Sequence, residues 1–384
     1  MTEIYLDNAA TTKPCAEVID AMTSSMRIGY YNPSALYQGA VEAERALEAA
    51  RTSVAAPLRM TQKNVVFTSG GTESNNLGIL GHLKTRRGGG TVLYSAAEHA
   101  AVRNASIEAE TLGFTVKRIP LNGRGSLDWE QLKTMMDESV KLISVMHVSN
   151  ETGIVMPLEQ LTALRDQLAP KAAIHVDGVQ GYLRLPVDMK KLGIQSYAVS
   201  AHKVHGPKGV GALIVRESHT IAPLIFGGGH QRGLRAGTDN TVGAAGFAAA
   251  VRAYPASAAQ TLYALKAEMA TLLQSAVPAV KLIGPMPGDA DNAPHILTVS
   301  LPPVKAETMV HALEAEGVIV GTGSACSSKA RKHSVALCSM GVPEPLMDCA
   351  IRFSFSVLNT AQEMQAAAKA IRKQYELLSK FTRR

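Results

Sequence analysis

Only four cysteines occur in 384 residues, at Cys15, Cys326, Cys338 and Cys349, and none forms a CxxC pair. Zinc is therefore unsupported, and free thiols in a reducing cytosol are expected. No stretch approaches eighteen consecutive apolar residues, which argues against a membrane span. The N-terminus, MTEIYLDNAATT, has neither a basic n-region nor an apolar h-region, so it does not read as a signal peptide and a cytoplasmic protein is expected. Basic residues are scattered despite a net charge of +7. Their densest group, Lys329, Arg331 and Lys332, is short, and no basic motif is interleaved with aromatics, so direct nucleic-acid binding is disfavoured. The Walker A lysine and the full dinucleotide glycine spacing are also missing.

What remains is the composition of an ordinary globular protein, 46% hydrophobic and 18% charged, with no internal repeat. Strand-like and helix-like segments alternate from Asn64 to Leu213, a βαβ rhythm that predicts a mostly parallel sheet covered by helices. After Pro278 the segments shorten and read as a smaller α+β unit, closed by a helix over Ala361 to Leu378. In open α/β sheets functional residues collect at the carboxyl ends of strands. Thr72, His99, Asn150, Asp177 and Lys203 all fall just after predicted strands.

The run from Ser69 to Asn76, SGGTESNN, joins a strand to a helix. Free backbone N–H groups and the positive end of the helix dipole make such a turn an anion site, and a plain capped turn is the simpler alternative. Lys203 lies between two apolar runs and between His202 and His205, a setting in which desolvation favours a neutral amine able to form a Schiff base. Pyridoxal phosphate needs such a lysine, an anion site, a carboxylate for its ring nitrogen and a ring to stack on. Lys203, the glycine turn, Asp177 and His99 are candidates for the four roles.

Cys326 sits among small polar residues in GTGSACSSK, unlike a packing cysteine, and the nearby Lys329, Arg331 and Lys332 favour its thiolate. Cys338 and Cys349 lie in helical, apolar surroundings and are expected to be structural, while Cys15 is given no role. Arg352, on the strand IRFSFS, is expected to face inward and meet an anion, either a substrate carboxylate or an internal acid.

Taken together, YLDNAATT, NPSALYQGA, VVFTSGGTESNN, EHAAV, MHVSNETG, HVDGVQ, SAHKVHGPKGVGAL, GGGHQRGLRAGT, GSACSS and IRFSF resemble the cysteine desulfurases, in order and spacing, over nearly the whole chain. The resemblance implies an α/β, aminotransferase-like fold of type I, with a large domain over 15–254. A smaller α+β domain, built from 1–14 and 255–384, would carry the Cys326 loop. It assigns Lys203 as the Schiff-base lysine, Asp177 to the pyridine nitrogen, His99 to the ring face and Gln180 to the phenolic oxygen. Gly71, Thr72, Ser200 and His202 would hold the phosphate, with Thr238 supplied across a homodimer.

Asn150 is placed against the cofactor and, with Arg352, on the substrate carboxylate; Asn32 is a further substrate candidate. L-cysteine would yield L-alanine and a persulfide on Cys326, with Lys203 or His99 carrying the proton. The acceptor would be an iron–sulfur scaffold or a tRNA-thiolation protein. Two departures bear on that choice: GSAC runs into the basic SSKARKHS, and little chain follows the last helix. A related pyridoxal phosphate aminotransferase or lyase, or an inactive partner-binding homologue, are the alternatives.

Overall fold

The computed structural model describes residues 3–322 and 333–381. Strand β1 (Ile4–Leu6) is followed by β2 (Val65–Thr68), β3 (Gly90–Ser95), β4 (Phe114–Ile119), β5 (Val140–Met146), β6 (Ala173–Asp177), β7 (Ser196–Ser200) and β8 (Gly211–Val215). Then come β9 (Lys281–Ile283), β10 (Ile296–Ser300), β11 (Val318–Thr322) and β12 (Ala350–Ser354). Seven strands form one sheet in the order β2-β8-β7-β6-β5-β3-β4. Its central and β4-side pairs are parallel, and only β8 runs against its neighbours. The expected mixed, mostly parallel sheet is thus observed. Strands β5 to β8 are buried almost throughout, as sheets covered on both faces require.

The other sheet has the order β1-β11-β12-β10-β9. Its first strand comes from the N-terminus and pairs parallel to β11, Ile4 opposite Val318. Helices Ala258–Ala276 and Ala361–Leu378 supply apolar faces to its core, including Leu262, Met269, Met364 and Ile371. Thr360 and Glu363 form a capping box that fixes the start of the last helix. Among the described residues no helix is long and apolar enough to cross a membrane.

Helix Gly71–Leu83 begins six residues before the Leu77 start read from the sequence. The polar run Thr72–Asn76 disguised its first turns, and burial of Ser74 and Asn75 in polar contacts explains their place there. Cys338 also departs from expectation. It is exposed on the short helix Val335–Ser339, whereas Cys349 is buried as anticipated.

Buried histidines give the fold an acid sensitivity. Burial holds His82 and His175 at about 3 and His147 at about 4. It also lowers His202, His205, His219 and His295. Below about pH 6.5 the unfolded chain protonates these rings while the folded one does not, so stability falls with pH, by about 1.4 kcal/mol per unit for each fully buried ring. Glu98 and Glu151, both raised chiefly by burial, oppose this but are outnumbered. The urea midpoint of the cofactor-free protein should drop markedly between pH 7 and pH 5. A flat midpoint across that range would contradict the assignment of neutral rings.

Candidate active site

Because all large-sheet strands except β8 point the same way, the segments after β2, β3, β5, β6 and β7 emerge at one edge. A cavity of about 250 Å³ opens there. Gly71, Thr72, His99, Asn150, Asp177, Gln180, Ser200, His202, Lys203 and Arg352 all line it. Ten residues singled out from the sequence therefore meet in one place. Two do not reach it: Asn32 is exposed, its Oδ1 accepting the Ser34 N–H at 3.0 Å, and Thr238 is exposed in the loop before helix Thr241–Ala253. Cys326 lies outside the described residues.

One end of the cavity is built for an anion. The first-turn amides of helix Gly71–Leu83 have no acceptors within the helix and face the positive end of its dipole. Gly71 must be glycine, since a Cβ there would stand 2.8 Å from Val179 Cγ2. Glu73 secures the turn by accepting the Ser69 N–H at 2.8 Å and Arg235 Nε at 3.0 Å. Desolvation pushes its carboxyl up, but these bonds outweigh it and the net shift is down. Ser200 ends β7, and His202 Nδ1 lies 3.1 Å from Thr11 Oγ1. Burial, then neighbouring cations, hold His202 at about 4.

The cavity also carries Asp177, the last residue of β6, only 6% exposed. Its Oδ1 accepts the Val179 N–H at 3.0 Å and its Oδ2 accepts Asn75 Nδ2 at 2.8 Å. Close by, Glu98 Oε1 accepts the Met146 N–H at 2.6 Å, and Oε2 is buried without a partner among the described residues. Burial first and the Asp177 charge second raise Glu98 well above a normal carboxyl, which marks it as a neutral acid behind a charged one.

Lys203 projects from the turn after β7, its Nζ donating to Ala9 O at 2.6 Å and Ala10 O at 2.7 Å. Gln180 donates to the same Ala9 carbonyl at 2.9 Å and accepts from His295 Nε2 at 3.1 Å. The N-terminal turn after β1 thus reaches into the site, which no sequence signal revealed. Arg184, buried, ties the Gln180 carbonyl to the Lys203 carbonyl and sets the two side chains relative to each other. His99 caps helix Ala100–Glu108, its Nδ1 accepting the Ala101 N–H at 3.1 Å.

Arg352 on β12 brings the small sheet to the cavity. Its Nη2 donates to Asp7 Oδ1 at 2.7 Å and its Nη1 to Asn150 O at 2.8 Å, while Nε is buried with no partner among the described residues. The internal acid expected from the sequence is therefore observed in Asp7, and Arg352 also lines the cavity. Next to it, Glu151 accepts a short hydrogen bond from Ser334 and is raised to about 7, first by burial, against the pull of Ser334 and Arg352.

The donor set fits pyridoxal phosphate. One cavity brings together an amine, a dipole-charged anion cradle where a Cβ on Gly71 would crowd Val179, a buried carboxylate that accepts hydrogen bonds, and an imidazole. Among the described residues no cluster of His, Cys, Asp or Glu is arranged for a metal.

Comparison with known proteins gives the same outline. The family model for aminotransferase class-V matches residues 4–367. A NifS/IcsS protein homolog of Lactobacillus delbrueckii subsp. bulgaricus is 35% identical, covering 98% of each chain. The cysteine desulfurase IscS of Dictyoglomus turgidum is 34% identical over 94% of this chain and 92% of its own. Among solved structures, a NifS-like protein superposes with a TM-score of 0.91 at 31% identity, covering 98% of this chain and all of its own. A structure of SspA in complex with cysteine superposes with a TM-score of 0.81 at 28% identity, over 94% of this chain and all of its own.

Proposed function

We infer that this chain, which belongs to the class-V aminotransferase family and within it to the cysteine desulfurases, takes the sulfur atom from L-cysteine and leaves L-alanine. The observation that carries this is the convergence of Lys203, Asp177, His99 and Arg352 on a single cavity. Pyridoxal phosphate, when bound, supplies a conjugated ring that accepts the electron pair left at the substrate α-carbon. Lys203 would hold its aldehyde carbon, Gly71, Thr72, Ser200 and His202 its phosphate, Gln180 its phenolic oxygen, and Asn150 and His99 its flank and face.

Arg352 and Asn150 would grip the substrate carboxylate, giving the Arg352 Nε the acceptor it lacks in this structure. That grip orients the α-carbon toward Lys203, whose amine is placed to take the α-proton; His99 is the other candidate. Cys326, as thiolate, then attacks the substrate sulfur. An S–S bond forms as the Cβ–S bond of the substrate breaks; the β-carbon gains a proton to become the methyl group of alanine, and the α-carbon regains the proton that was taken from it. The persulfide on Cys326 is passed to an acceptor protein, an iron–sulfur scaffold or a tRNA-thiolation enzyme.

The protein would act in the cytoplasm as a homodimer in which Thr238 serves the site of the other copy. Its exposure outside this chain's own cavity supports that placement, as does the exposed apolar group Ile28, Tyr30, Leu36 and Tyr37. The two sheets would mark two domains near 15–254 and 1–14 with 255–384. Mass spectrometry of the Cys326 peptide after incubation with L-cysteine tests the reaction: a gain of one sulfur atom is expected. Cys326→Ala should release sulfide at least about a hundredfold more slowly. Full turnover in that variant would refute the desulfurase assignment.

A further inference from the structure

The Asp177 carboxylate is the visible end of a longer hydrogen-bonded chain whose direction can be worked out. Asp177 Oδ2 only accepts, so the Asn75 group 2.8 Å away must be its amide NH₂. Asn75 Oδ1 therefore faces His175 Nε2 at 3.0 Å, and that nitrogen must carry a hydrogen. His175 Nδ1 is then the lone-pair nitrogen, accepting from the Ser196 hydroxyl at 2.8 Å. Every donor in the series Ser196, His175, Asn75 points toward Asp177. The imidazole cannot swing away: it is fully buried, and Gly78 packs so close that a Cβ there would lie 2.5 Å from its ring.

Burial first, then His219 and His82, keep His175 near 3, so the ring stays neutral and the tautomer is set by its partners. His82 and His219 are themselves lowered by burial and add no competing charge at neutral pH. Glu98 and Tyr197 are the titratable groups that feel Asp177 most directly, both raised first by burial and then by its charge, and Lys203, His99 and His202 line the same cavity.

We propose that His175 is a positioning residue that, acting through Asn75, fixes the rotation and acceptor geometry with which Asp177 meets the cofactor's ring nitrogen. An imidazole locked as a donor prevents the Asn75 amide from flipping. A flipped amide would turn its oxygen onto Asp177 and set acceptor against acceptor. The residue thus touches neither substrate nor cofactor, yet sets how firmly the ring nitrogen keeps its proton. This rests on the cofactor assigned above.

The test compares cofactor-loaded wild type with His175→Leu, His175→Gln and Ser196→Ala. In His175→Leu the pH midpoint of the cofactor's visible absorption change should move up by about one unit. A ring nitrogen that holds its proton less of the time acidifies the conjugated Lys203 nitrogen less. Turnover number should fall about tenfold to a hundredfold, the scale of a lost hydrogen bond to a charged group, with KM for L-cysteine within about threefold. His175→Gln keeps a donor for Asn75 and should restore both midpoint and turnover number to near wild type.

An unchanged midpoint in a folded His175→Leu protein overturns the proposal. So does equal impairment of the Leu and Gln variants together with an equal loss of melting temperature. Should His175→Leu not fold, Ser196→Ala decides, since it removes one of the two partners that hold the tautomer, Asn75 Oδ1 being the other: a smaller upward midpoint shift supports the proposal and no shift overturns it. A wild-type protein that binds no pyridoxal phosphate overturns this proposal and the functional assignment together. Normal binding with unaffected variants overturns this one alone.

Discussion

Lys203→Ala is expected to lower turnover of L-cysteine on the order of a thousandfold or more, and to leave the protein without a covalently held cofactor. Two roles disappear at once, the attachment point and the amine placed to carry the α-proton. The substitution also leaves the Ala9 and Ala10 carbonyls without the donor they meet at 2.6 and 2.7 Å. Because Gln180 still donates to Ala9, His202 still holds Thr11 and Thr12, and Ser354 still accepts the Ala9 N–H, the N-terminal turn stays tethered and the fold should survive. The measurements are sulfide release and the visible spectrum after reduction with borohydride, which fixes cofactor to the wild-type lysine only. A variant that retains cofactor covalently and turns over at a tenth of the normal rate would displace Lys203 from its assigned role.

The second large effect concerns Asp177. An asparagine here has one acceptor oxygen where the carboxylate offers two. The native oxygens already serve the Val179 N–H and the Asn75 amide. With asparagine, one of those donors meets an NH₂ group, and a ring N–H arriving from the cofactor meets another poor partner. Asp177→Asn should lower turnover number by about two to three orders of magnitude, as for loss of a key electrostatic contact, with a smaller change in KM. It would also remove the second of the two influences that keep Glu98 protonated. Turnover within about threefold of wild type would show that the ring nitrogen needs no carboxylate here.

The residues easiest to read from the sequence were those whose position follows from strand direction. Lys203, His99 and Thr72 each follow a strand and Asp177 ends one, and parallel strands must deliver such residues to one edge. Asn75, His175, Glu98 and Arg184 were opaque for a different reason. Their importance lies in burial and in partners on other elements, for Asn75 about a hundred positions away in Asp177 and His175. A polar residue in a helical or strand pattern carries no mark of that.

Cys338 shows the converse error. Its apolar neighbours suggested enclosure, but a helix of five residues, Val335–Ser339, turns Ala336 and Leu337 inward and the cysteine outward. Asn32 and Thr238 were placed by likeness to other chains, and this chain alone does not bring them to its cavity.

The pairing of β1 with β11 has a consequence for biosynthesis. Ile4 leaves the ribosome first but cannot meet Val318 until more than three hundred further residues have been made. At ordinary elongation speeds that is a wait of roughly 15 to 60 seconds. Through that interval the large sheet can assemble and Lys203 and Gln180 can already hold the turn carrying Ala9 and Ala10, while β1 has no partner strand and Arg352 does not yet exist. A nascent chain would therefore present a half-built pocket, with its lysine and aspartate in place and no means of gripping a substrate. The enzyme becomes competent only when β11 is threaded beside β1 and β12, carrying Arg352, has joined it.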